Sequence, residues 1–335
     1  MELNVTLDKV ARAAGVSSST VSRIINGTAK VSAAKRENVL RIMSQLNYQP
    51  NVLARGLARG RTMGIGVLTQ DISSPFYSST LRGIESALLG SGYHPIFISG
   101  HWHLEEELEA IDFLLSRRVD GIIVLGGGVP DLRLQEVAHR LPMVVLGRSI
   151  PGLEGQCLRL DNVAGALEAT RHLLELGHER IAHIAGEPSH RDAQDRLEGY
   201  KAALRAAKLP FNPELVQGGD FCEAAGFLAT TRLVEGRTLF SAIFAANDQM
   251  AYGARLALHR KGLRVPEDIS LVGFDDLPTS MYTTPPLTTV QQPVEEMGRA
   301  AAQGVLRLLR GEQAEVRRME TRLVIRESTV RRWSS

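Results

Sequence analysis

After residue 62 the chain settles into a pattern that leaves few folds open. Short continuous apolar runs alternate with amphipathic helical stretches, and the alternation occurs twice. The first series holds "MGIGVLT", a helix near Tyr77 to Leu89 with Leu81, Ile84 and Leu88 spaced for burial, "HPIFIS", a helix from about Glu105 to Leu115, "VDGIIVL" and "PMVVLG". The second begins near Asn162 with a helix through Leu176, ended by Gly177. It continues with "RIAHIAG", a helix near Arg196 to Ala207, "FSAIFAAND", a helix through His259 and "DISLVGFDD". Such runs between amphipathic helices argue for parallel sheets covered on both faces. Two series predict an α/β architecture with two doubly wound parallel-sheet subdomains and a cleft between them. Ligands of such sheets sit at the carboxyl ends of the strands. Here those ends carry Asp71 to Tyr77 after the first run, Asn247-Asp248 after "AIFAA" and Asp275-Asp276 after "LVGF".

The first sixty residues follow another rule. Leu7, Val10, Ala11 and Ala14 fall at helical spacing behind Thr6, a good N-cap, and Gly15 can end the turn. A second helix starts at Ser17, another N-cap, buries Val21, Ile24 and Ile25, and closes at Asn26-Gly27. A third starts at Ser32, buries Val39, Ile42, Met43 and Leu46, and cannot pass Pro50. The short link between the first two is that of a helix-turn-helix. With the second helix's apolar stripe turned inward, Ser18, Ser19, Ser22 and Arg23 turn outward. A recognition helix offers such residues to base edges, and arginine suits the two acceptors of guanine. Beyond Pro50, Asn51 can cap two turns bearing Leu53, Ala54, Leu57 and Ala58. A segment so short needs a partner to be stable, and a flexible basic linker is the plain alternative.

Charge divides the chain in the same place. Residues 1–61 hold ten Lys and Arg against three Asp and Glu, a balance of +7, while the remainder holds 29 against 34, a balance of −5. A basic head on a mildly acidic body points to a polyanionic partner. At 335 residues the chain exceeds what one core usually serves. No run of eighteen apolar residues predicts a membrane span, and "MELNVTLDKVARAAG" lacks the apolar region of a signal peptide, so a cytoplasmic location is expected. Cys157 and Cys222 are too few for a disulfide framework. No metal site is expected, because His101 and His103 around Trp102 lack further ligands. "GGGVP" at 126–130 lacks the Lys-Ser/Thr of a phosphate loop, and no nucleophile elbow frames Ser189 beside His190. No cofactor and no enzymatic activity are expected. A solute-binding protein or a sugar-processing enzyme would fit the two-sheet body but leaves the basic head unexplained.

The motifs "VTLDKVARAAGVSSSTVSRIING", "VSAAKRENVLRIMSQLNYQPNVLARGL", "IGVLTQDISSPFYSSTLRGIE", "LGHERIAHIAG", "FAANDQMAYGA", "VPEDISLVGFDD" and "PPLTTVQQP" span nearly the whole chain. Together they resemble the lactose/galactose repressor family of bacterial transcription regulators, most nearly its galactose-repressor branch. The resemblance implies a helix-turn-helix head with a hinge helix (residues 1–60, hinge 51–58) and an effector-binding, dimerising core (residues 61–335) of periplasmic-binding-protein type. Subdomain one would take about 61–161 and 292–321, subdomain two about 162–291 and 322–330. The implied partners are a pseudo-palindromic double-stranded DNA operator, a small sugar-like effector and a second copy of the chain. The implied DNA-binding set is Thr6, Ser17, Ser18, Ser19, Thr20, Ser22, Arg23, Asn26, Asn51, Ala54, Arg55 and Leu57, with Leu57 wedged into the minor groove. The implied effector set is Phe76, Tyr77, His190, Asp192, Arg196, Phe221, Asn247 and Asp275. Where the family carries a polar group at the end of "DGIIVL", this chain has Leu125. The tail "TVRRWSS" lacks the leucine heptads of a tetramerising helix, so a homodimer is expected.

Overall fold

The computed structural model describes residues 5–25, 29–48 and 61–332. The chain divides into two compact units, Met1–Met63 and Gly64–Ser335. The expected hinge helix over 51–58, with Asn51, Ala54, Arg55 and Leu57, and the expected DNA contact Asn26 lie outside the described residues.

In the first unit α1 (Leu7–Ala14), α2 (Ser18–Ile25) and α3 (Ala33–Gln45) close around Val10, Ala11, Ala14, Val21, Ile24 and Val39. Thr6 caps α1 by accepting from the Lys9 amide. Gly15 ends the helix at φ 64°, in the left-handed region that glycine enters without a Cβ clash. Ser17 accepts from the Thr20 amide at 3.2 Å, as an N-cap should. Ile42, Met43 and Leu46 pack against this core only in part.

The second unit holds two sheets. The first has the order β2-β1-β3-β4-β5. It comprises β1 (Gly64–Thr69), β2 (His94–Ser99), β3 (Gly121–Leu125), β4 (Met143–Leu146) and β5 (Cys157–Leu158), all parallel. Connecting helices are α4 (Pro75–Leu88), α5 (Leu104–Ser116) and α6 (Asp131–Ala138). The second sheet has the order β11-β10-β9-β8-β6-β7. Its strands are β6 (Ile181–Ile184), β7 (Val216–Gln217), β8 (Ala242–Ala245), β9 (Ser270–Asp275), β10 (Thr288–Gln291) and β11 (Arg322–Val324). Only β11 runs antiparallel to its neighbour. Its helices are α7 (Asn162–Glu175), α8 (Arg191–Ala206), α9 (Glu223–Glu235) and α10 (Asp248–Arg260). After β10 the chain returns to the first sheet as α11 (Val294–Leu309), which packs on α4, then comes back as β11. The chain therefore crosses between the sheets three times, and an isolated bridge, Leu160 to Met319, ties two of the crossings together.

Strands β1, β3 and β4 are buried at every position. That is the behaviour of strands covered on both faces and the reason their sequences do not alternate. The expected helix near Arg196 to Ala207 in fact starts at Arg191. Its N-cap, His190, makes no side-chain capping bond, so no cap residue marked the start.

Candidate functional site

The carboxyl ends of both sheets face one cavity of about 160 Å³. All eight residues expected to meet an effector line it: Phe76, Tyr77, His190, Asp192, Arg196, Phe221, Asn247 and Asp275. Asp71, Ser74, Trp102, Asp220, Cys222 and Gln249 line it as well. Of these, Asp71 and Ser74 lie within the polar stretch after β1 that strand order already marked. Asp220 and Cys222 flank Phe221, and Gln249 follows Asn247 by two residues. Trp102 lies just past the carboxyl end of β2, a position the strand-end rule covers but the sequence reading passed over.

Each side chain is positioned by the fold around it. Arg196, on the first turns of α8, is 4 % exposed. Its Nε donates to Asn162 Oδ1 at 2.9 Å and its Nη1 to the Ala246 carbonyl at 2.5 Å. Its guanidinium lies 4.0 Å from the Phe274 ring centroid and 5.8 Å from that of Phe221. Asn162 closes the link by donating from Nδ2 to Asp192 Oδ1 at 2.9 Å. Asp275 ends β9 at φ 122°; its Oδ1 accepts from Gln292 Nε2 at 2.5 Å and lies 3.7 Å from Arg196 Nη1. Arg196 is thus a buried cation between two carboxylates rather than a surface ion-pair residue. Burial pushes both the Asp192 and the Asp275 carboxyls up, while Arg196 pulls both back. The Tyr77 hydroxyl is pushed well up by the same burial and by Asp192 and Asp275.

Asn247 caps α10 by accepting from the Met250 amide at 2.9 Å and donates to the Phe221 carbonyl at 2.8 Å. One of these two bonds holds the backbone of Phe221, which sits at φ 69°. The Phe221 ring lies over Gly186, where a Cβ would come within 2.2 Å of its Cζ. On the other wall, Phe76 and Tyr77 meet edge to face at 5.2 Å. Leu125 stays buried at 2 % exposure, and its carbonyl accepts from Gln70. Behind it, the Gly126–Gly128 loop wraps the Glu107 carboxylate, which accepts from the Gly128 and Val129 amides at 2.7 and 2.9 Å.

In the first unit, Ser19 and Arg23 are exposed on α2, with Ser18, Thr20 and Ser22 partly so. Ser18, partly exposed, is also engaged within the unit. Its hydroxyl donates to Asp8 Oδ1 at 2.5 Å and ties α2 to α1. Ser17 and Thr20 share a hydroxyl contact at 2.8 Å. Thr20 and Arg23 line a shallow crevice with Lys30.

Residues 6–51 match the profile of bacterial regulatory proteins of the lacI family, and residues 170–329 match that of a periplasmic binding protein-like domain. The HTH-type transcriptional regulator GalR of Salmonella typhimurium is 39% identical over 304 residues, covering 90% of this chain and 89% of GalR. The chain belongs to the lacI family. It is a DNA-binding transcriptional regulator. Among solved structures, the lac repressor dimer bound to operator and the anti-inducer ONPF superposes with a TM-score of 0.88 at 32% identity, covering 98% of this chain and 100% of that one. The complex of the regulator CelR with cellobiose does so at 0.73 and 36% identity, covering 97% and 99%. For this lacI-family chain, no helix among the described residues is long and apolar enough to cross a membrane.

Proposed function

We propose that the chain is a repressor of a carbohydrate-utilisation operon, acting as a homodimer on a pseudo-palindromic operator. A neutral sugar-like effector held in the cleft sets its affinity for DNA. Residues 1–60 are the reading head, with Ser19 and Arg23 at base edges, Ser22 and Thr20 beside them, and Leu57 of the 51–58 hinge in the minor groove. Residues 61–335 sense the effector and dimerise, and the protein works in the cytoplasm. The carrying observation is what lines this cavity. Phe221 and Trp102 offer apolar ring faces, and half-buried Asp192 converges beside them with buried Arg196 and Asp275. Aromatic faces cover the apolar side of a sugar ring, and the carboxylates and guanidinium pair with its hydroxyls. Arg196 commits Nε and Nη1 to the protein and keeps Nη2 for a ligand.

Charge selects the class. Asp71, Asp192, Asp220 and Asp275 line the cavity against Arg196, the one Lys or Arg in the lining among the described residues. A phosphorylated sugar would meet an excess of like charge there. Size selects further, since an engineered apolar cavity of about 150 Å³ admits a benzene ring. The present volume suits one six-membered ring. The cavity is a binding site and not a catalytic one, so sugars incubated with the protein are recovered unchanged. The relatives that bear sugar ligands or operators in their structures support the same reading.

A thermal-shift screen of neutral sugars beside their phosphate esters tests it. A neutral sugar is expected to raise the melting temperature and to change operator affinity by about 5–150-fold. A phosphate ester that binds better than its parent sugar would overturn the charge argument. Arg23→Ala is expected to cost about 1–3 kcal/mol of specific operator binding, read by gel-shift titration, with little change in fold stability.

A further inference from the structure

Trp102 comes from the first subdomain, between β2 and α5, and His190 from the second, at the start of α8. Their rings nevertheless stack across the cleft, with centroids 3.7 Å apart and planes 23° from parallel. On the far side of His190 the Phe221 ring lies almost parallel, at 3° and 5.8 Å. Three rings from three loops thus form one stack along the cavity wall. Trp102 is 37 % exposed, which puts this contact at the outer rim.

The loop that carries Trp102 is built to hold it there. His101 and Trp102 are both left-handed, at φ 49° and 60°, a conformation that residues with a Cβ seldom adopt and that persists only where neighbours impose it. The Gln70 backbone and side chain impose it. Its carbonyl accepts from the His101 amide at 2.9 Å, and its Oε1 accepts from the Trp102 amide at 3.0 Å. Gln70 Nε2 is in turn fixed on the Leu125 carbonyl. Gly126, at φ 67°, lies beside the indole, where a Cβ would come into ordinary contact with Cη2 at 3.4 Å. On the other side, His190 Nδ1 is buried with no hydrogen-bond partner among the described residues. Through Nδ1 the imidazole has no polar bond to break on leaving, and the contacts seen at the rim are those of its ring.

We propose that Trp102 and His190 form an aromatic clasp across the mouth of the cleft. The clasp must part for a ligand to pass, and it sets both the speed of exchange and the size limit at that end. The proposal rests on the effector reading of the cavity for its purpose, but the clasp itself can be tested without a ligand. The sequence has two tryptophans, Trp102 and Trp333. In full-length protein carrying W333F, Trp102 is the only indole. Its emission is expected to rise and to become more open to iodide quenching when His190→Ala removes the stacked imidazole. Emission and quenching that stay the same overturn the clasp, whatever the sugars do. The second readout is the release of a radiolabelled neutral monosaccharide taken from the thermal-shift screen. Trp102→Ala is expected to speed both uptake and release by about tenfold, the loss of one ring-to-ring contact at the barrier, while Trp102→Phe keeps exchange slow. Equal exchange rates in all three proteins also overturn the proposal. If no sugar binds at all, the effector reading fails by itself and the emission comparison alone decides the clasp.

Discussion

At Arg196 a single guanidinium balances two carboxyls, and burial pushes both of those carboxyls up. A carboxyl raised in the folded state binds its proton more tightly than in the unfolded chain. Its contribution to stability is therefore full at low pH and is lost as pH rises through the folded value. Arg196 limits that loss. Arg196→Met should destabilise the protein by about 3–5 kcal/mol at pH 7, the cost of leaving buried charge uncompensated. The deficit should shrink as the medium is acidified and Asp192 and Asp275 take up protons. Urea unfolding of variant and parent across pH reads this, and a deficit that grows on acidification would contradict it. His183 has the opposite sign. It is fully buried between Tyr200 and Phe244, at ring distances of 5.0 and 4.9 Å, and burial lowers it to about 4. Its contribution is present above the unfolded value near 6.5 and is lost as pH falls from there toward 4. His183→Phe should cost stability near neutrality, where it forfeits the 2.9 Å bond to the Phe244 carbonyl. Relative to the parent it should gain about 3 kcal/mol by about pH 4. Among site residues, those at strand ends were legible because strand order puts them there. Trp102 follows the end of β2 and could have been read the same way; what hydropathy does not mark is the left-handed pair, held by Gln70, that carries it.

Between elements, α9 and α10 touch through glycines. A Cβ on Gly253 would lie 1.9 Å from the Glu223 carbonyl oxygen, and one on Gly226 would lie 2.1 Å from that of Met250. Helix propensity alone says that Gly253→Ala stabilises by about 1 kcal/mol. Packing says the reverse, since backbone cannot step aside as a flexible side chain can. The variant should lose about 1–3 kcal/mol in chemical denaturation, and a gain would mean the helices separate freely. The same rivalry explains which elements could be read in advance. Strands β1, β3, β8 and β9 announce themselves as apolar runs, and β6 as one interrupted by His183. Strand β10, "TTVQ", carries two threonines that are buried yet polar, and β5 and β7 are two residues each. Those form because the chain on either side is already in place. The start of α8 went unseen because His190 does not cap it.

On the scale of the molecule, two sheets joined by three crossings make a cleft whose walls can move only by bending the crossings together. Two apolar series and a basic head made the doubly wound body and the separate helix-turn-helix unit readable. The return of α11 to the first sheet is a long-range packing choice that no local pattern states. Such a body can influence DNA binding only through a difference in effector affinity between DNA-bound and free protein. That difference is reciprocal: if the effector changes operator affinity by some factor, the operator must change effector affinity by the same factor, about 5–150-fold for typical couplings. Both legs can be measured at one salt concentration, which matters because phosphate contacts make every operator constant salt-dependent. Operator affinity is titrated with and without saturating sugar, and sugar affinity is titrated by calorimetry with and without saturating operator duplex. The two ratios should agree. If the sugar weakens DNA binding while the operator leaves sugar affinity untouched, the cycle does not close on these four states. The sugar would then be acting through a further equilibrium, such as separation of the subunits, rather than through the cleft.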